Sequence, residues 1–210
     1  MAEMTVVHLV RHGEVPNPDG VLYGRLPGFR LSEEGVLQAK AAAAFLAGRD
    51  IALLLSSPLE RALETAAPIA AQFGLEPRVD ERLIEPWNHF EGSRFDVGRD
   101  ALRQPGAWPR LTNPFRPSWG EPYADIAARM HSVMADAARE VVGRQAVCVS
   151  HQLAIWVARK SADNRRLWHH PGNRQCALGS VTSFTYRDGV ITGVSYAEPA
   201  GRGRAQIPGA

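Results

Sequence analysis

The sequence predicts an α/β fold: a three-layer α/β/α sandwich over a mostly parallel central sheet. Two observations carry that reading. Short apolar runs alternate with longer segments of helical period, and the chain is large enough to bury one sizeable core. With 210 residues, 45% of them hydrophobic, residues 1–200 read as a single domain and 201–210, "GRGRAQIPGA", as a flexible tail. No internal repeat interrupts the pattern.

The elements follow in order. "MTVVHLV" (4–10) reads as the first strand. "LSEEGVLQAKAAAAFLAG" (31–48) reads as a helix in which Ser32 caps the free amides of the first turn, Leu37, Ala41 and Phe45 form the inner face, and Gly48 ends the run. "IALLLSS" (51–57) is the next strand, and "SPLERALETAAPIAAQFG" the helix after it. Here Ser57 is the expected cap, with Pro58 at the first helical position; Leu59, Ala62, Ala66, Ile69 and Phe73 recur at helical spacing, and Pro68 is expected to kink the helix. The segment 86–122, rich in Pro, Trp, Gly and Arg, is too long for an ordinary connection and reads as an inserted lid or specificity region. "YADIAARMHSVMADAAREVVG" is amphipathic through Ile126, Met130, Val133 and Ala137, "AVCVSHQ" is a buried strand, and "LAIWVARKS" a helix. "SVTSFTYRDGVITGVSY" gives two strands joined at Asp188-Gly189, a pair suited to a tight hairpin turn.

Composition narrows the function. The formal charge is only +2, with the 24 Lys and Arg spread along the chain, so nucleic acid is not expected as a partner, whereas a small acidic substrate is. No run approaches the roughly 18 apolar residues of a membrane span, and "MAEMTVVHLVRHG" lacks the basic and apolar stretches of an export signal. A cytoplasmic protein is expected. Cys148 and Cys176 form no C-x-x-C pair, and Cys148 lies in the apolar "AVCVS", as a buried free thiol would in a reducing compartment. The His and Cys residues show no zinc spacing, and neither glycine-rich nucleotide motif is present, so no metal and no cofactor is implied. Oligomeric state is left open.

In open sheets of this kind ligands bind beyond the carboxyl ends of the strands. Three such ends carry unusual chemistry. The first, in "HLVRHGEVPN", ends in Arg11-His12-Gly13-Glu14; the second leads into Ser57 and Arg61; the strand at 146–150 ends in Ser150-His151. "DERLIEPWNHFEG" brings a carboxylate, Glu85. These residues resemble the histidine phosphatase superfamily, which includes the cofactor-dependent phosphoglycerate mutases. The likeness rests on "LVRHGE", "LLSSPLERALETA", Leu83-x-Glu85 and "VSHQ", in the family's order across most of the chain. It implies that His12 is the nucleophile, that Arg11, Arg61 and His151 bind the phosphoryl group, and that Glu85 is the general acid. Asn17 resembles the family's phosphate-side Asn, though it lies one residue closer to His12 than in mutases. Gln152 replaces the glycine common after the second His, and the short spacing of "PWNHFEG" leaves Glu91 as a rival acid.

The chemistry suits these types. A phosphomonoester dianion calls for fixed donors around its oxygens, and guanidinium offers a planar, permanently charged fork. Arg61, in the first turn of its helix, adds the free amides there. His12 attacks through one neutral ring nitrogen if the other donates to the backbone; His151 is expected to bear a proton as a third donor; Glu85 protonates the leaving alkoxide and then receives a proton from water. Glu14 is expected to orient the loop, and Ser57 to cap a helix first and meet the ligand second. His169-His170 reads as a solvated loop pair, and Trp87, Trp108, Trp119, Trp156 and Trp168 as core or lid packing. Arg110, Arg116 and Trp119 could read the leaving group. The expected activity is therefore metal-independent hydrolysis of a small phosphorylated substrate through phosphohistidine. A phosphoglycerate mutase is the alternative, weakened by a chain short for the mutases' extra insertion, and a non-catalytic phospho-ligand binding module comes third.

Overall fold

The computed structural model describes residues 3–94 and 119–201. Strands β1 (Met4–Arg11), β2 (Ile51–Ser56), β3 (Arg78–Val79), β4 (Gln145–Ser150), β5 (Val181–Arg187) and β6 (Val190–Ala197) form one sheet in the order β3-β2-β4-β1-β5-β6. The β3-β2-β4-β1 half is parallel, while β5 and β6 run antiparallel. The reason lies in the connections. Helices cross over between the parallel strands, whereas Asp188 (φ 51°) and Gly189 (φ 77°) make the tight turn between β5 and β6.

Helices α1 (Glu33–Leu46) and α2 (Glu60–Phe73) cover one face of the sheet, against Val10, Leu54, Val147 and Val149. Helices α3 (Tyr123–Glu140) and α4 (Gln152–Ala162) cover the other, against Val7, Leu9, Leu55 and Cys148. Alternate residues of each central strand thus serve opposite cores, as burial on both faces requires. The three-layer sandwich is as the sequence predicts. In α3 the expected stripe of Ile126, Met130, Val133 and Ala137 is buried, and both cysteines are buried free thiols.

Two local expectations are corrected. In α1 the inner face is Gly35, Gln38, Ala39, Ala42, Ala43 and Leu46, while Leu37 is 59% and Phe45 37% exposed. Gly35 sets that rotation: the loop after β1 presses so closely on it that a Cβ would lie 2.2 Å from the Glu14 carbonyl oxygen. The small side chains therefore face the sheet and the large ones turn outward. Ser32 does cap α1, accepting from the Gly35 amide at 2.9 Å. In α2 the cap position belongs to Leu59, which makes no side-chain cap bond; the Ser57 hydroxyl lies 2.7 Å from His151 Nε2 and meets the Leu59 amide only at 3.4 Å. The helix continues through Pro68 to Phe73. β3, two exposed residues long, has no apolar signature and is not foreseen.

Of the expected lid at 86–122, residues 95–118 lie outside the described residues, as does the tail beyond 201. The flanks that are described meet in a bridge between Asn88 and Gly120. Among the described residues no helix is long and apolar enough to cross a membrane.

Candidate active site

The site forms because β1 and β4 are parallel neighbours in matched register, with Arg11 opposite Ser150. The next residues on each strand are therefore His12 and His151. The His12 amide donates to the Ser150 carbonyl at 3.1 Å, and the two imidazoles lie 5.2 Å apart. His12 Nδ1 is 2.7 Å from the Gly13 carbonyl oxygen. A carbonyl only accepts, so Nδ1 carries the proton and Nε2 keeps its lone pair. Gly13 is required by space: a Cβ there would fall 2.3 Å from the Gly35 carbonyl oxygen. Burial, then the charges of Arg61 and Arg11, hold the His12 pKa well below 6.5, so the ring is neutral near pH 7.

Two buried guanidiniums flank this ring. Arg11 Nη1 donates to the Cys176 carbonyl at 2.6 Å, and Arg61 Nη2 to the Gly24 carbonyl at 2.6 Å. Arg61 also lies over the Tyr23 ring at 4.7 Å, with its Nε buried and without a hydrogen bond. Thr65 joins the loop to α2, accepting from the Gly13 amide at 3.1 Å and donating to the Arg61 carbonyl at 2.7 Å. Among the described residues Arg61 makes no ion pair, although a buried cation without an anion is costly. Such a pair of cations is complementary to an anion that arrives from outside.

Glu85 is delivered by the turn 81–84. Ser150 Oγ donates to the Leu83 carbonyl at 2.6 Å, Arg25 Nε donates to the Glu85 carbonyl at 2.6 Å, and Arg129 donates to the Arg82 carbonyl. Arg25 and Arg129 share the Glu121 carboxylate, which fixes both. Glu85 Oε2 ends 3.5 Å from His151 Nδ1. Burial raises the Glu85 pKa; Arg61, Arg174, Arg11 and Arg129 oppose that shift without reversing it. Its rival Glu91 accepts from the Asn88 amide at 3.1 Å and packs against Gly24, whose carbonyl accepts from Arg61.

His151 corrects an expectation. Burial first, then Arg61, His12, Arg11 and Arg129, hold its pKa well below 6.5, so it is neutral in the free site. A neutral ring is still a donor at one nitrogen. Ser57 Oγ lies 2.7 Å from Nε2 and can donate to it, and in that tautomer Nδ1 carries the ring proton. Nδ1 has no hydrogen-bond partner among the described residues. Glu14 orients the loop as expected, accepting from Ser32 Oγ at 2.7 Å. Asn17 is tied at both ends of its carboxamide to the Val21 backbone.

The sequence reading missed Arg174 and misjudged His169. The latter is 8% exposed, between Tyr123 and Trp156, and accepts from Arg174 Nε at 2.9 Å. His170 is exposed as expected. Trp156 is core, whereas Trp168 is 48% exposed, against expectation, and its carbonyl accepts from Lys160 Nζ at 3.3 Å. Trp119 contributes its carbonyl to the His89 amide; Arg110 and Arg116 lie outside the described residues.

The model of the histidine phosphatase superfamily (branch 1) matches residues 7–199. The chain belongs to that superfamily. An uncharacterized protein of Mycobacterium tuberculosis is 54% identical, over 95% of this chain and 99% of its own length. The glucosyl-3-phosphoglycerate phosphatase of M. tuberculosis is 35% identical, over 61% of this chain and 58% of its own. A solved mycobacterial glucosyl-3-phosphoglycerate phosphatase superposes with a TM-score of 0.72 at 26% identity, covering 94% of this chain and 97% of that one. The superfamily's phosphatases therefore share this chain's fold and part of its sequence, and a phosphatase-type enzyme is the family-level reading.

Proposed function

We propose that this protein is a phosphatase that hydrolyses phosphomonoesters, without a metal ion, through a phosphohistidine at His12 Nε2. The observation that carries the reading is the His12 tautomer: a buried, neutral imidazole with its Nδ1 proton held by Gly13 and a free lone pair between two buried guanidiniums. In the first step Nε2 bonds to phosphorus, the ester P–O bond breaks, and the Glu85 proton passes to the departing alkoxide. In the second, water attacks phosphorus, its proton returns to Glu85, and the N–P bond breaks to release phosphate and neutral His12. Arg11, Arg61 and the Nδ1 proton of His151 stabilise the charge on the phosphoryl oxygens throughout. The raised Glu85 pKa favours the protonated form needed first, and the phosphate dianion raises it further. The partner implied is a small phosphorylated molecule, and two buried free thiols suit a reducing cytoplasm.

The test is hydrolysis of an aryl phosphate in excess EDTA with and without vanadate, which mimics five-coordinate phosphorus. Activity should persist under chelation and fall with vanadate; full loss on chelation, restored by a divalent ion, rejects the reading. Product analysis on phosphoglycerate separates the alternative: interconversion of 2- and 3-phosphoglycerate far faster than phosphate release makes the protein a mutase.

A further inference from the structure

Arg174 stands in the loop after α4, and its neighbours tie that loop to the site. Two residues on, the Cys176 carbonyl accepts from Arg11 Nη1 at 2.6 Å. Arg174 Nη1 donates to Gln152 Oε1 at 3.3 Å, and Gln152 directly follows His151. Its Nε donates to His169 Nε2 at 2.9 Å. His169 is committed to that role, because its Nδ1 proton goes to the Leu167 carbonyl at 2.7 Å and its ring packs beside Tyr123 and Trp156, 5.4 and 6.0 Å away between centroids. Burial lowers the His169 pKa to about 4, so it is a neutral acceptor at pH 7.

A neutral imidazole and a neutral amide thus aim a guanidinium without cancelling its charge. Among the described residues Arg174 makes no ion pair, and its Nη2 makes no hydrogen bond. After Arg61, its charge does most to oppose the rise that burial gives the Glu85 pKa, and burial lowers its own. The residue by which "VSHQ" departs from the family pattern, Gln152, is one of the two that hold it.

We propose that Arg174 reads a carboxylate on the alcohol half of the phosphomonoester, with His169 and Gln152 as its positioning residues. The inference rests on the phosphatase reading for its geometry: Glu85, 3.5 Å from His151 Nδ1, must stand at the leaving oxygen, and a cation held by Gln152, the residue after His151, is on hand to meet the leaving group. One guanidinium matches one negative charge. A second phosphoryl dianion would sit against the Glu85 carboxylate just as it gives up its proton, whereas a carboxylate monoanion repels it less. The substrate class is a phosphorylated hydroxy acid.

The experiment compares 3-phosphoglycerate with glycerol 3-phosphate, which differ by a carboxylate against a hydroxymethyl group. In the wild-type protein kcat/KM should favour the acid by about 10- to 100-fold, carried mainly by KM, as expected for a charge-assisted contact in a desolvated place. Arg174→Met should bring that ratio close to one. His169→Phe, which keeps a ring beside Tyr123 and Trp156 but removes the acceptor, should reduce it part-way. Because the ratio is internal to each protein, a partly unfolded preparation does not imitate the result. Absence of preference in the wild type, or its persistence in Arg174→Met, overturns the proposal; persistence in His169→Phe alone removes His169 from it. If neither ester is hydrolysed although the aryl phosphate is, the proposal is overturned and the phosphatase reading stands; if none of the three is hydrolysed, the phosphatase reading fails by itself, and the ratio of Kd values for the two esters, measured by calorimetry, judges Arg174 by the same criterion.

Discussion

His8 and His12 lie on β1 and just beyond it, and both are 1% exposed. Burial lowers both pKa values, that of His8 to about 4. Their bonding differs. His8 uses both ring nitrogens, with Nδ1 accepting from Ser183 Oγ at 2.7 Å and Nε2 donating to Gln145 Oε1 at 2.8 Å. His12 uses only Nδ1. Burial neutralises an imidazole in either place; the nitrogen left unbonded is what sets His12, the proposed nucleophile, apart from His8, which ties strands together. The same contrast separates Arg82, clasped by Asp80 and Asp136, from Arg61, which has no carboxylate of its own among the described residues.

The strongest way to break the comparison is His12→Ala against His8→Leu. Acid-stable quenching is unsuitable for a phosphohistidine, so the phosphoenzyme is read after alkaline quench with labelled substrate. His12→Ala should give none, while His8→Leu should give a normal burst; labelled His12→Ala protein would place the nucleophile elsewhere. Next comes Glu85→Gln, which removes a transferable proton and leaves the clamp. General acid catalysis contributes ~10²–10⁴-fold, so single-turnover phosphorylation by an alkyl phosphate should slow by about that factor, and by much less with a nitrophenyl phosphate, whose leaving group needs no proton. An equal loss on both substrates would pass the role of acid to another group, with Glu91→Gln the next variant to measure.

Smaller effects sharpen the structural side. His8→Leu removes the partner of the half-buried Gln145 and Ser183 side chains and should cost about 1 kcal/mol in urea unfolding. The last effect is a pH dependence. The folded pKa of His8 lies at about 4, below the ordinary imidazole value of 6.5, so between those limits the unfolded chain binds the proton more readily. Its contribution is complete above 6.5 and is lost as pH falls toward 4, with a slope that approaches about 1.4 kcal/mol per pH unit. The stability difference between wild type and His8→Leu should narrow over that interval; a constant difference would show that His8 is not buried neutral.

How far the sequence disclosed this molecule depends on whether a signal was local. The strands, α3 and the hairpin are written in periodicity and turn residues, and the His12, Arg61, Glu85 and His151 cluster in short motifs at strand ends. The α1 face was misread because the largest apolar residues, Leu37 and Phe45, suggest the core, whereas the close approach of Gly13 and Gly35, two glycines far apart in sequence, determines the rotation. Ser57 reads as a cap because Ser-Pro often begins a helix; its nearest partner, His151, lies just beyond β4. Arg174 carried no motif at all. Its importance comes from His169 and Gln152, each unremarkable alone and meaningful only once the loop folds back on α4.

The sheet order has a consequence for when the protein becomes active. β1 lies between β4 and β5, so Val6 meets Gln145 on one side and Thr185 on the other. The strand that a ribosome makes first among the six therefore waits for partners that are among the last, and such long-range pairing is slow because the intervening chain must be closed before any contact rewards it. Until then His12 has neither the Ser150 carbonyl beneath its amide nor His151 beside its ring. On the phosphatase reading proposed above, a growing chain carries its nucleophile for most of its synthesis without being able to use it, and the first turnover follows the completion of folding.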